Sequence, residues 1–310
     1  MPYIPYITKR FSSDSQALID LADSICRQYQ AQGYELTLRQ LFYQMVSRNH
    51  IENTDKSYKR LGSIINDARL AGEIDWDHIN DRTRHQRRVS SWDSPSQIIE
   101  ASASQFKRDL WETSGQPILP FVWVEKDALI DVVARACNPL HVPHFSCRGY
   151  VSQSEMWRSG QRMESLLRAG VEPVVFHLGD HDPSGIDMTR DITERLELFA
   201  GHPIEVNRIA LTMAQINQYQ PPPNPAKITD SRALAYIDEF GTQSWELDAL
   251  EPSVIVELIT KHVQTCITDQ QAWDDVIDED SSTRDRMTDV ADRWDEIYHR
   301  WSEIEDLLDN

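Results

Sequence analysis

The chain of 310 residues is poor in cysteine and short of positive charge. Its four cysteines, Cys26, Cys137, Cys147 and Cys266, are scattered and include no Cys-x-x-Cys pair. That excludes a disulfide framework and points to a reducing cytoplasm. No stretch approaches the roughly 18 consecutive apolar residues of a membrane helix, so no membrane partner is expected. The opening MPYIPYITKRFSSDSQ lacks the apolar core of a signal peptide. There is no internal repeat and no ATPase motif. What remains is a globular composition, 40% apolar and 26% charged, with a length that suggests about two domains.

The net charge of -19 is unevenly spread. Residues 1–120 are neutral, 121–220 carry -4 and 221–310 carry -15, with 15 acids against 4 bases in 269–310. An acidic protein is a poor partner for nucleic acid, since phosphate attraction supplies most non-specific affinity. The segregation weakens that objection. The neutral first third holds two basic clusters, Lys56-Ser57-Tyr58-Lys59-Arg60 and Arg82-Thr83-Arg84-His85-Gln86-Arg87-Arg88.

Apolar spacing predicts a helix over 13–32, stopped by Gly33. A second runs over 38–48 behind a Thr37/Gln40 capping box, and a third from Asn53-Thr54 to Ala71-Gly72. With Ile74-Asp75-Trp76-Asp77 behind them, these helices resemble a winged-helix module whose third helix, carrying Lys56, Lys59 and Arg60, faces DNA. Residues 90–120 read as a connector with one helix over 98–113. Strands are predicted at 120–125, 142–146, 171–178 and 205–212, alternating with helices at 128–137, 153–169 and 186–199, the pattern of a parallel α/β sheet. Pro221–Pro225 reads as a rigid linker. Helices are then expected over 231–240 and 253–268, and one or two acidic helices over 273–310 with an apolar stripe at Trp294, Ile297, Trp301 and Ile304.

In parallel sheets chemistry gathers at the carboxyl ends of strands. Glu125 ends one strand there, and Asp180 and Asp182 follow another. Three such carboxylates repel one another and call for a cation or a shared proton. Oxygen donors suit Mg²⁺, with Mn²⁺ as a substitute. By spacing alone the same acids equally suit helix caps. A second cluster, Cys137, His141, His144 and Cys147, has donor types suited to zinc, at a tighter spacing than usual.

Val124-Glu125-Lys126-Asp127-Ala128 and Leu178-Gly179-Asp180-His181-Asp182-Pro183-Ser184-Gly185-Ile186 resemble the two Toprim motifs of the topoisomerase VI A subunit and the related meiotic double-strand-break transesterase. Arg39-Gln40-Leu41-Phe42-Tyr43 resembles that family's 5Y-CAP winged-helix segment, whose last tyrosine is the nucleophile. The resemblance covers residues 13–250 and is nearest to compact, stand-alone "mini-A" proteins. Arg148-Gly149-Tyr150 resembles a DNA-contacting KGYP segment, with Val151 in place of the proline, and Trp245–Leu250 a late segment in which Glu246 is an auxiliary acid.

The resemblance implies an α/β protein: a mostly α winged-helix domain over 1–90, a connector over 91–119, a Rossmann-like Toprim sheet over 120–250 and an acidic helical region over 251–310. It implies a type IIB topoisomerase-like enzyme that cleaves double-stranded DNA through a 5′-phosphotyrosyl intermediate. Tyr43 is the nucleophile. Arg39, one helical turn away, steadies the scissile phosphate. Glu125, Asp180 and Asp182 hold Mg²⁺, and Glu125 also moves a proton. Lys56, Lys59, Arg60 and Arg148 contact DNA. A homodimer is implied, in which the tyrosine of one protomer faces the metal of the other, as is a GHKL ATPase B-type partner and a nucleoid-associated place in a bacterial, plasmid or phage setting. Two alternatives stay open: a Toprim nuclease using activated water, and a non-catalytic DNA-binding module in which the acids only cap helices.

Overall fold

Ser12, Thr37 and Thr54 each present a side-chain oxygen to an unpaired backbone N–H and so start the first three helices. These are α1 (Ser13–Ala31), α2 (Leu38–Ser47), with the full Thr37/Gln40 capping box, and α3 (Asp55–Ala71), closed by Gly72 in the left-handed conformation. The computed structural model describes residues 3–79, 89–226, 230 and 232–308, with side chains through 301. The basic run Arg82–Arg88 lies outside them. Helix α2 is the centre of this region: every residue from Gln40 to Val46 is buried, so the helix is enclosed all round instead of resting on one apolar face. Behind α3, Ile74–Asp77 leads into a 3-10 turn at Trp76–His78, and Ile79 bridges to Leu36 in parallel.

The chain continues through α4 (Pro95–Gln105) and α5 (Leu110–Thr113) before entering β1 (Ile118–Val124). Next come α6 (Ile130–Cys137), β2 (His144–Ser146), α7 (Gln153–Arg168), β3 (Glu172–Leu178), α8 (Pro183–Ala200) and β4 (Glu205–Ala210). The four strands form one parallel sheet in the order β2-β1-β3-β4. The class is therefore α/β, as the alternation predicts. β1 and β3 are central and almost wholly buried, which explains their unbroken apolar runs.

Beyond the sheet lie α9 (Met213–Tyr219), β5 (Asn224–Pro225), α10 (Ala233–Phe240), β6 (Gln243–Ser244), α11 (Pro252–Gln264), α12 (Gln270–Asp292) and α13 (Trp294–Leu308). The proline-rich stretch is not a free linker. Asn224 and Pro225 pair antiparallel with Ser244 and Gln243, and α9, capped by Thr212 and Gln215, precedes it.

By contact the chain divides into two compact units: residues 1–84 with 120–265, and 85–119 with 266–310. The helices of residues 13–71 and the sheet thus share one unit. In the other, the segment read as a connector is a structural partner of the acidic C-terminal helices. The Arg108 backbone N–H and Nε donate to Asp280 at 2.9 and 2.6 Å, and the rings of Trp111 and Trp273 meet edge-on at 4.8 Å. The single helix expected over 98–113 is two helices, because the Asp109 carboxylate caps α5 through the N–H groups of Trp111 and Glu112. The stripe on α13 faces solvent at Ile297 and Trp301, which are 41% and 60% exposed.

Helices α7 and α8 pack against each other at Gly160, where an added Cβ would strike the Phe199 side chain and backbone. Gly160→Ala is expected to destabilise the protein by about 1–3 kcal/mol despite its better helix propensity, as overpacking does. Urea unfolding checks it; an unchanged or raised midpoint would contradict the close packing.

Candidate functional site

Because β1 and β3 are neighbours, the residues after their carboxyl ends meet. The Glu125 N–H donates to the Leu178 carbonyl at 2.8 Å, and the Asp180 N–H returns a 2.8 Å bond to Glu125 Oε2. Asp180 Oδ1 accepts the Leu247 N–H at 2.8 Å. Asp182 caps α8, its Oδ1 accepting the Gly185 N–H at 2.6 Å and the Ser184 hydroxyl at 2.9 Å. The turn is so tight that a Cβ at Gly185 would collide with the Asp180 carbonyl and press on Glu125. Each acid thus has one oxygen fixed by a backbone N–H, and no hydrogen bond to its second oxygen is found among the described residues.

Burial raises the Asp180 carboxyl well above the ordinary range, helped by Glu125, Glu246 and Asp248 and opposed by Lys126. Glu125 is also raised, first by burial and then by Asp182. Two buried cations answer this charge. Arg208, on β4, donates to the carbonyls of Gly179, Asp180, Gly185 and Leu211 and so ties the acid-bearing turn from behind. The Lys126 ammonium lies 3.0 Å from both Asp180 and Asp248 and also pairs with Glu246. Burial opposes its charge, but these carboxylates outweigh the burial and raise its pKa.

Arg39 on α2 joins the same network, 3.0 Å from Glu246 and 3.3 Å from the fully buried Asp248 carboxylate. Its guanidinium sits 5.8 Å from the Tyr43 ring centroid. Tyr43 is only 4% exposed, yet its side chain helps to line a cavity of about 280 Å³ together with Arg39, Asp180, Asp182 and Glu246. Burial raises the phenol pKa, with Glu246 and Asp248 adding to the effect and Arg39 and Lys126 opposing it.

Tyr43, Arg39, Asp180 and Asp182 therefore border one space within a single chain, and Glu125 adjoins it through Asp180. The resemblance instead pairs the tyrosine of one protomer with the acids of its partner. Lys56, Lys59 and Arg60 are exposed on α3, whose first turn borders the cavity. Arg148 is exposed and paired to Asp127 at 3.0 Å. Lys126, Asp248 and Arg208 were not singled out from the sequence. The legible signal is a lysine inside the first motif; Arg208 stands in a strand that also carries Glu205 and Asn207, and nothing local marks it.

Among the described residues no three His, Cys, Asp or Glu side chains stand together as a ready-made metal cage. Mg²⁺ does not require one, since it keeps several waters and takes one or two carboxylates. The anchored Glu125, Asp180 and Asp182, whose second oxygens are not engaged by hydrogen bonds among the described residues, fit such a cation. The cysteine–histidine cluster fits zinc poorly. Among the described residues these four side chains are not gathered into a group that could hold a metal ion. No family model matches the chain, and no curated protein matches it.

A carboxyl raised in the folded state contributes stability that is complete below its unfolded pKa of about 4 and is lost as pH rises through the folded value. Asp180→Asn keeps an oxygen for the Leu247 N–H and removes that loss. In EDTA the variant should gain stability relative to the parent as pH rises from 4 to 8, with the gap closing toward pH 4. Melting curves across this range check it. A variant less stable at pH 8 would show that the charge on Asp180 is favourable.

Proposed function

We propose that the protein is a DNA-cleaving tyrosine transesterase of the topoisomerase VI A type, with residues 3–79 acting as the winged-helix module and the sheet as the Toprim domain. The observation that carries the reading is the shared cavity. A phenol, an arginine one turn away and two strand-end acids border one space, the set that phosphodiester transfer calls for.

Tyr43 Oη attacks the phosphorus of a backbone diester. The Oη–P bond forms as the bond from phosphorus to the 3′ oxygen breaks. The phenolic proton passes to a pocket carboxylate, and a proton is delivered to the departing 3′ oxygen. One diester is exchanged for another, so no outside energy source is consumed in the cleavage. In this reading Glu125 also moves that proton. Arg39 offsets charge on the phosphate and steadies the phenolate. Glu125, Asp180 and Asp182 would hold Mg²⁺, or Mn²⁺ in its place, which supplies further charge neutralisation at the phosphate. Lys56, Lys59, Arg60 and Arg148 contact phosphates and set register without reading sequence. Two chains supply two sites, one for each strand of a duplex. A GHKL ATPase partner and a nucleoid-associated location belong to the same reading.

One observation favours a second reading. The raised pKa of Tyr43 works against phenolate formation. In a Toprim nuclease water would attack instead, and Tyr43 would serve packing.

Denaturing electrophoresis with labelled duplex DNA separates the two. The parent should give a Mg²⁺-dependent covalent protein–DNA adduct. Tyr43→Phe should abolish both adduct and cleavage, and replacing Asp180 and Asp182 together by alanine should lower both by at least about 100-fold. Cleavage retained in Tyr43→Phe without any adduct would establish hydrolysis. Full activity in the double alanine variant would remove the metal from the reading.

A further inference from the structure

We propose a second binding site, for a small aromatic anion, in the cleft between α7 and the outer edge of the sheet. Phe121 and Trp123 stand two residues apart on β1, so their side chains leave the same face of the sheet. Trp123 is in register with Phe145 of the edge strand β2, and the two rings meet edge-on at 4.5 Å. These three rings, with Arg158, Ser159 and Arg162 of α7, line a cavity of about 390 Å³, larger than the one at Tyr43. Cavities from about 300 Å³ upward suit small-molecule ligands. The two cavities share no lining residue, so binding here does not depend on the chemistry at Tyr43.

Three features define the occupant. The first is a donor without an acceptor. Trp123 is 2% exposed, and its indole N–H has no hydrogen-bond partner among the described residues. An indole this buried ordinarily finds one, and the cavity is where one can arrive. The second is charge without a counter-ion. The Arg162 guanidinium lies 5.2 Å from the Phe121 ring centroid and has no carboxylate partner among the described residues. Arg158, one turn earlier on the same helix face, pairs with Glu155 at 3.3 Å, and both side chains of that pair are largely exposed. Like charges one turn apart repel, which an anion between the two arginines would relieve. In a chain of net charge -19 this is a local exception. The third is shape. Aromatic rings and a guanidinium plane offer flat surfaces, against which a flat ring gains stacking and cation–π contact.

An apolar side chain from a protein partner would fill the volume but leave the indole N–H and Arg162 unanswered. The occupant is therefore a flat ring system bearing an acceptor and a carboxylate or phosphate. Aromatic carboxylates and nucleoside monophosphates share that chemistry.

Isothermal titration calorimetry on the full chain tests the site. The probes are 1-naphthoate and adenosine 5′-monophosphate; the controls are 1-naphthalenemethanol, adenosine and inorganic phosphate. We expect saturable binding of at least one aromatic anion, with its uncharged analogue and free phosphate bound at least about 10-fold more weakly. Which probe binds identifies the source of the anion. Arg162→Gln, on the exposed face of α7, should weaken that binding by at least about 10-fold. Trp123→Phe keeps a ring, removes the N–H and should weaken it by about 3- to 10-fold. Arg162→Gln decides alone should Trp123→Phe fail to fold. Binding of neither anion, equal binding of the uncharged analogue, or parental affinity in Arg162→Gln or in folded Trp123→Phe would overturn the proposal.

Discussion

A single buried ion network holds the architecture of the candidate site together. Lys126, the residue after Glu125, sits among Asp180, Glu246 and Asp248, and Arg39 closes the network from α2. Removing Lys126 would leave Asp180 without its cation, at a cost of about 3–5 kcal/mol for an uncompensated buried charge, whereas the half-exposed Arg39 shares Glu246 and Asp248 with Lys126. The network therefore sets where α2 lies against the sheet, and with it where Tyr43 lies relative to the acids. Glu246 shows the balance: burial would raise its pKa, but Lys126 and Arg39 lower it, so the network keeps this carboxylate charged.

The same turn is held from behind by a different kind of interaction. Arg208 binds carbonyl oxygens and not carboxylates, so it fixes backbone while leaving the acids' oxygens to the cavity side. Burial lowers its pKa to about 10, with Glu125, Asp180 and Asp182 opposing, and it is still a cation at neutral pH. Its charge also lowers neighbouring histidines. His177 falls to about 3 and His181 to about 4, first by burial and then by Arg208, so both rings are neutral near pH 7. His181 lies between Asp180 and Asp182 in sequence. Its ring pairs with the Tyr236 hydroxyl at 2.8 Å, and its backbone exchanges two hydrogen bonds with Trp245. The acidic turn is thus pinned on several sides by groups that add no proton of their own near neutral pH.

Much of this was legible from residues alone, for local reasons. The Thr37/Gln40 box, Thr54 and Gly72 mark helix ends through backbone hydrogen bonding that needs no tertiary context. The apolar runs of β1 and β3 announced central strands, and their ends announced Glu125, Asp180 and Asp182. What was missed depends on distance along the chain. Asp248 follows Lys126 by 122 residues, and nothing in the local pattern says that a 3-10 turn after β6 delivers it beneath α2. The proline-rich stretch looked like a spacer because pairing of Asn224 with Ser244 is a long-range event. The connector misled for the same reason: Arg108 acquires its meaning only from Asp280, a partner more than 170 residues away.

In the proposed reading, the economy of the site lies in how little of it is left to move. Tyr43 stands on a helix buried on every side, so its backbone position is set by packing. The guanidinium of Arg39 is drawn toward two acids before any phosphate arrives. Glu125, Asp180 and Asp182 are each aimed by a main-chain N–H, from the turn after β3, from the 3-10 turn after β6 and from the start of α8. Phosphodiester transfer gains most from such arrangement, since the reacting groups must converge on one phosphorus and little covalent help is needed from the protein. The cost appears in the elevated carboxyls of Glu125 and Asp180, which crowd negative charge where water is scarce. A fold selected only for stability would not keep that charge there.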